Sequence, residues 1–176
     1  MLAYQALDDK CDKGKLMQIE GFRPVVSTGA KILILGTFPG KESLRQKEYY
    51  AHPRNLFWDM MDCICGAGGD KDYNERLIVL TKTGIALWDV LKSCCREGSA
   101  DSNIRNGYFT VNDFNTFLSS YPVAVFFNGK KAEKLFQQHV GAALPFSCAL
   151  PSTSPANARM TKDEKIRQWC RVKQYL

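Results

Sequence analysis

Two short loops hold most of the side chains in this chain that could do chemistry. The first, Gly36-Thr37-Phe38-Pro39-Gly40, follows the apolar run Ile32-Leu33-Ile34-Leu35. The second, Ser152-Thr153-Ser154-Pro155-Ala156-Asn157, follows Phe146-Ser147-Cys148-Ala149-Leu150. Between them lies Tyr49-Tyr50-Ala51-His52-Pro53-Arg54-Asn55-Leu56-Phe57-Trp58. Pro39 and Gly40 let the backbone turn tightly and leave amide groups uncovered at a strand's end. Tyr49 and Tyr50 come just before His52-Pro53, where the chain is biased to be extended. An extended aromatic at a sheet edge offers its flat face to a planar ligand, and base–aromatic stacking stabilises by roughly 1–3 kcal/mol. In the second loop Ser152, Thr153 and Ser154, with Pro155 fixing the turn, supply hydroxyls that hydrogen-bond phosphate oxygens without adding charge. Asn157, Arg159 and Lys162 follow, so the loop and the start of the last helix make a phosphate site. No phosphate-binding Gly-Lys motif accompanies them, and the loops read as a base pocket and backbone clamp.

Other residues carry two readings each. Asn55 stands near the start of a helix, where an amide serves equally as a cap or as a functional group. Asp89 follows a strand ending at Trp88, and a carboxylate there either works in a site or caps the next turn. Trp88, Phe57 and Trp58 read as core, and Asn128-Gly129 as a strand-to-helix turn. The Ser/Thr-rich loop itself could simply cap a helix. The sequence contains no Gly-x-Ser-x-Gly elbow, no His-Glu-x-x-His and no Walker loop, which weakens hydrolase, metalloprotease and kinase readings.

Alternating elements are needed to hold these loops. Apolar runs predict strands at 31–36, 84–88, 123–127 and 146–150. Helices are expected at 55–65, 73–82, near 110–120, from Asn128-Gly129 to about 138, and from 161 to about 175. The helix at 55–65 carries Leu56, Phe57, Met60, Met61 and Ile64 at helical spacing and is stopped by Gly66-Ala67-Gly68-Gly69-Asp70. The segment 92–107 is polar and turn-rich, and residues 1–20 are expected to be a loosely held tail before one domain at 21–176. Strands alternating with helices mean a parallel sheet covered on both faces. The carboxyl edge of such a sheet is where open α/β folds bind ligands.

The 176 residues are 45% hydrophobic, enough for one well-buried domain. A net charge of +6 suits a protein that meets a polyanion on one face, though ordinary surface lysines explain it as well. No apolar run reaches the length of a membrane span and no signal-peptide layout opens the chain, which fits a cytoplasmic protein. Seven cysteines and two histidines match neither a paired Cys-x-x-Cys zinc site nor a common iron–sulfur run. Reduced thiols and no metal or cofactor are expected.

Taken in order, the segments Leu35–Gly40, Tyr50–Trp58 and Leu150–Asn157 resemble the uracil-DNA glycosylase superfamily over about residues 21–176. The aromatic-x-x-Pro-x-Asn-x-Phe-Trp run looks like the mismatch-specific uracil/thymine branch. The Ser-Thr-Ser-Pro-Ala-Asn loop, with Gly84-Ile85-Ala86-Leu87-Trp88-Asp89-Val90, looks more like the deoxyinosine (hypoxanthine) branch. The resemblance implies a three-layer α/β/α sandwich with a central parallel sheet of about four strands. It implies a cofactor-free monomer that flips a damaged base out of double-stranded DNA and cuts its N-glycosidic bond. One departure bears on mechanism. The slot that holds a water-binding Asn in the mismatch branch is occupied here by Phe38, which cannot hold water. Catalysis is therefore expected from Asn55, with Asp89 second as water orienter or base reader. Tyr50 takes the position expected to stack on the flipped base, beside Gly36, Thr37, Phe38 and Pro39 as pocket wall. Ser152, Thr153, Ser154, Pro155, Ala156, Asn157 and Arg159 are expected to grip DNA, with Ala156 or Asn157 near the wedge position of relatives. No lysine is evidently placed as an amine nucleophile, so the enzyme is expected to lack lyase activity. A mismatch-type uracil glycosylase, a non-catalytic damage-binding module and a small-molecule nucleoside hydrolase are the competing readings.

Overall fold

A computed structural model describes residues 18–95 and 108–176. Its centre is a parallel sheet of four strands: β2 (Ile32–Gly36), β3 (Ile85–Asp89), β6 (Ala124–Asn128) and β7 (Ser147–Leu150), in the order β3-β2-β6-β7. Three further strands, β1 (Gln18–Glu20), β4 (Leu91–Cys95) and β5 (Phe109–Val111), form a small antiparallel sheet ordered β1-β4-β5. Six α-helices join them among the described residues: α1 (Lys41–Gln46), α2 (Phe57–Cys65), α3 (Tyr73–Lys82), α4 (Phe114–Ser120), α5 (Lys130–His139) and α6 (Lys162–Trp169). A 3-10 turn at Cys170–Tyr175 follows α6.

Strands β2 and β3 are buried along their whole length and β6 through its middle, while the edge strand β7 is buried only at Leu150; the buried side chains alternate between two apolar layers. Ile32, Ile34, Ile85, Leu87 and Phe126 pack with Phe57, Met60, Met61, Leu80, Trp169 and Val172 from α2, α3, α6 and the final turn. Leu33, Leu35, Ala86, Trp88, Val125 and Phe127 pack with Phe114, Phe117, Ala132, Leu135 and Phe136 from α4 and α5. Each fully buried aliphatic or aromatic side chain stabilises the fold by about 1.5–3 kcal/mol. The result is the expected helix–sheet–helix sandwich with a four-stranded parallel sheet. Asp72 with Glu75 opens α3, and Thr161 with Glu164 opens α6, each as a reciprocal capping box that satisfies exposed amide groups.

Several boundaries differ from expectation. Gln18–Glu20, placed by the sequence in a loose tail, pairs antiparallel with Ser93–Cys95; residues 1–17 lie outside the described residues. The stretch read as polar and turn-rich begins with β4, whose Leu91, Ser93, Cys94 and Cys95 are buried between β1 and β5, while 96–107 lie outside the description. The helix expected near 110–120 starts only at Phe114, because Phe109–Val111 pairs with β4. Helix α1 was not expected at all. Cys63, Cys65, Cys94, Cys148 and Cys170 take part in no disulfide.

Candidate active site

The carboxyl ends of the parallel strands open into one cavity of about 520 Å³. Its wall begins with Gly36, Thr37, Phe38, Pro39 and Gly40 after β2, then Tyr49, Tyr50, His52 and Asn55, then Asp89 at the end of β3. Asn128 at the end of β6 and Ser152 through Asn157 after β7 close the other side. The site residues expected from the sequence line one cavity, except Arg159, which is exposed beyond the loop, and Lys162, which pairs with Asp59; both stand outside the lining.

The floor is made by Gly36, which sits in register beside Asp89. Asp89 is 3% exposed, and a Cβ added at Gly36 would lie 2.2 Å from its Oδ1 and 3.1 Å from the Tyr50 hydroxyl. Glycine is thus required by close approach: the carboxylate and the phenol converge over its bare α-carbon. Backbone bonds from the Val90 N–H to the Gly36 carbonyl and from the Leu91 N–H to the Thr37 carbonyl lock the two strand ends together. Buried Asn112 donates from Nδ2 to the Asp89 carbonyl at 2.8 Å, fixing the backbone from which the carboxylate projects. Phe38 lines the cavity and also belongs to the apolar layer of β4, α4 and α5, so it serves as wall.

The aromatic segment is pinned from several sides. The Tyr49 N–H donates to the Tyr73 hydroxyl, the Tyr49 hydroxyl to the Arg23 carbonyl, and the Trp58 indole N–H to the Tyr49 carbonyl. Burial, with a smaller contribution from the Asp89 charge, pushes the Tyr49 phenol far above its ordinary value, so it stays neutral. Tyr50 has φ +57°, in the left-handed region, and its ring stacks on Phe57 with centroids 3.8 Å apart and 15° between planes. Asn55 precedes α2 rather than forming its first turn, and its Oδ1 accepts from the Phe57 N–H at 3.0 Å. It is therefore both a cap and a cavity residue. The cap fixes the amide plane, and the second lone pair of Oδ1 is able to accept from a water.

The loop at 152–157 is tied to three elements. Asn128 donates from Nδ2 to Thr153 Oγ1 at 2.8 Å and accepts at Oδ1 from the Thr153 N–H at 2.9 Å. Thr153 is thus wholly buried and its hydroxyl is engaged inside the protein, unlike the exposed hydroxyl expected from its neighbours. The Leu56 N–H donates to the Thr153 carbonyl, joining this loop to the Asn55 segment. From α6, Trp169 Nε1 donates to the Pro151 carbonyl at 2.9 Å and buried Lys165 donates to the Asn157 carbonyl at 2.8 Å. Asn157 Nδ2 donates back to the Ser152 carbonyl at 3.1 Å.

Sequence reasoning passed over Asn128, read as a turn, and the wall residues Lys41, Glu42, Ser43 and His52. Lys41 places one exposed lysine on the wall, where none was expected. Glu42 is held at a pKa of about 2 mainly by hydrogen bonds from Arg45 and Gln46, so it is an anion at neutral pH. The Arg45 spacing at i+3 was the available signal. Among the described residues no group of three or more His, Cys, Asp or Glu side chains could hold a metal ion. No helix there is long and apolar enough to cross a membrane.

Residues 24–175 match the family described as the uracil DNA glycosylase superfamily. A protein named hypoxanthine DNA glycosylase from Methanosarcina barkeri (strain Fusaro) is 37% identical over 152 residues, covering 85% of this chain and 94% of the relative. One of the same name from Methanosarcina acetivorans is 37% identical over 148 residues, covering 82% and 92% respectively. The solution NMR structure of an M. acetivorans protein, described as a candidate uracil DNA glycosylase, superposes with a TM-score of 0.73 at 34% identity. It covers 90% of this chain and 99% of that one. This chain belongs to the uracil DNA glycosylase superfamily, and the cavity at its sheet edge is the candidate active site of a DNA glycosylase.

Proposed function

We propose that this protein removes a deaminated base from double-stranded DNA, foremost hypoxanthine from deoxyinosine. The observation that carries the reading is the convergence of Tyr50, Asn55, Asp89 and both loops on one cavity of about 520 Å³. The names of the two curated relatives support the choice of base.

In this reading the nucleotide leaves the duplex and its base enters the cavity, at a cost of a few kcal/mol that is lowest for mispaired bases. The base stacks on the face of Tyr50 that Phe57 does not cover, and Thr37, Phe38 and Pro39 close the pocket. Asn55 holds a water through its amide and directs it at C1′ of the sugar. As the C1′–N9 bond breaks, its electron pair leaves with the base, the sugar passes through an oxocarbenium-like state, and the water oxygen bonds to C1′. The proton lost by water and the proton gained by the base balance, leaving free hypoxanthine and an abasic site. A neutral amide suffices where the protein also stabilises the departing base anion. Asp89, buried at the floor, is the second candidate to orient the water or to read an edge of the base. Ser152, Ser154, Ala156 and Asn157, with Arg159 outside the cavity, grip the flanking phosphates, while Thr153 holds the loop's shape from within. The enzyme releases base without cutting the strand in this reading, and Lys41 on the cavity wall is the amine that a lyase step would use instead.

The test is base release from duplexes holding one deoxyinosine or one deoxyuridine, with abasic sites revealed by alkali, for wild type and Asn55→Ala. Hypoxanthine release that falls by about 10²–10³-fold in Asn55→Ala supports both substrate and role. Uracil release alone moves the protein to mismatch repair, and binding without release makes it a damage-binding module. Borohydride trapping of an enzyme–DNA adduct would refute the monofunctional reading.

A further inference from the structure

Lys165 is the one charged side chain among the described residues that is almost completely buried, at 3% exposed, while lying outside the cavity wall. Long cationic side chains are seldom buried without a carboxylate, and no ion pair of Lys165 is found among the described residues. Its Nζ instead donates to the Asn157 carbonyl at 2.8 Å. The helix that carries it gains nothing from a hidden charge, because desolvating an ammonium is costly and a hydrophobic residue of the same length would pack there at least as well. The observations thus ask what the charge does for Asn157.

The peptide that receives the bond joins Asn157 to Ala158. No cis peptide bond occurs among the described residues, so the carbonyl and the N–H of this peptide point in opposite directions. The carbonyl turns inward to Lys165, and the Ala158 N–H therefore turns away from it. Ala158 itself is exposed, directly after the cavity-lining loop and before exposed Arg159. A cation on the carbonyl strengthens the opposite N–H as a donor, since hydrogen bonds in a chain polarise one another.

We propose that Lys165 is a positioning residue of the DNA-gripping loop, whose buried ammonium fixes and polarises the Asn157–Ala158 peptide so that the Ala158 N–H is aimed outward at a DNA phosphate. The proposal rests on the DNA-glycosylase reading above. It gives the loop a positive charge that neither sits on the surface nor contacts the DNA. Burial lowers the ammonium's pKa from its ordinary value. The other ties on the loop, from Asn128, Trp169 and Leu56, hold Pro151 and Thr153. Only Lys165, of these, reaches the far end, where the chain leaves the cavity.

The experiment compares wild type, Lys165→Met and Lys165→Gln for binding to a duplex carrying one tetrahydrofuran abasic analogue, titrated from low to moderate salt, alongside thermal unfolding. Met removes charge and donor together; Gln keeps an N–H donor without the charge. The expected result is a loss of about tenfold in affinity in both variants, the size of one lost charge-assisted contact. The slope of log affinity against log salt becomes shallower, by up to about 0.9, one phosphate's share. The melting temperature of the Met variant stays at or above wild type. Wild-type affinity in either variant overturns the proposal, as does a loss confined to Met, which would make Lys165 a tether only. An affinity loss with an unchanged salt slope also overturns it. Should the Met variant not fold, the Gln variant decides alone. Failure of the wild type to hold the duplex refutes the DNA reading itself, not the role of Lys165 within it.

Discussion

Gly36→Ala probes the floor of the cavity with a single methyl group. The added Cβ would stand 2.2 Å from Asp89 Oδ1 and 3.1 Å from the Tyr50 hydroxyl. Moving the carboxylate out to an ordinary contact of 3.4 Å needs a displacement of about 1.2 Å. Asp89 ends a buried strand, and its backbone is held by Asn112 and by register with Gly36. The displacement therefore falls on the carboxylate, the phenol or both strand ends. Overpacking of this kind costs about 1–3 kcal/mol, which lowers the melting temperature by roughly 2–12 °C for a chain of this size. The catalytic cost is larger in proportion, because misplacing a working group by about 1 Å costs on the order of 10²-fold in rate. The assay is single-turnover release of hypoxanthine with enzyme in excess, beside a thermal melt at the same temperature scale. A folded variant that releases base within threefold of wild type would show that neither Asp89 nor Tyr50 acts from the position described.

Asn128→Ala strips both hydrogen bonds from Thr153 and leaves a buried N–H unsatisfied, a loss of about 1–3 kcal/mol. Denaturant unfolding should show that loss, and a midpoint equal to wild type would remove the clasp from the account of the loop. Tyr49→Phe tests the buried phenol through pH. The folded-state pKa is raised, so the unfolded chain loses its proton first, near pH 10, and stability present below that pH drains away as pH rises. The variant should lose about 1 kcal/mol at neutral pH with the bond to the Arg23 carbonyl. Between about pH 9.5 and 11.5 its stability should then fall less steeply than wild type, and parallel curves would refute the reasoning.

The parallel sheet was legible because Ile32-Leu33-Ile34-Leu35, Ile85-Ala86-Leu87-Trp88 and Val125-Phe126-Phe127 are unbroken apolar runs, each ended by a turn. These three strands are buried on both faces along most of their length, and that condition writes itself into sequence. Helix α1 was not legible, since Lys-Glu-Ser-Leu-Arg-Gln has no apolar stripe. It is too short to need one, and its Glu42–Arg45 pair is a local feature. Strand β4 hides for a related reason: Lys92 points out, and burial of Ser93, Cys94 and Cys95 depends on strands from distant parts of the chain. The two loops and the aromatic segment announced themselves by composition. Asn128 did not, because Asn-Gly after a strand is ordinary turn chemistry. Its partner Thr153 lies 25 positions along the sequence. Lys165 reads as one more charge on a charged helix until packing buries it.

The left-handed backbone of Tyr50 has an evolutionary side. A bulky residue at φ +57° sits where glycine or asparagine would be at ease, at a penalty on the order of 1–2 kcal/mol. Selection for stability alone would drift this position toward a smaller residue, and each such change would relax the chain while erasing the ring that faces the cavity. If the ring stacks on a flipped base as proposed, a lineage released from that use should lose it early. In that proposal the side chain at position 50 is a gauge, readable in any collection of related chains, of which ones still work on the same kind of flat ligand.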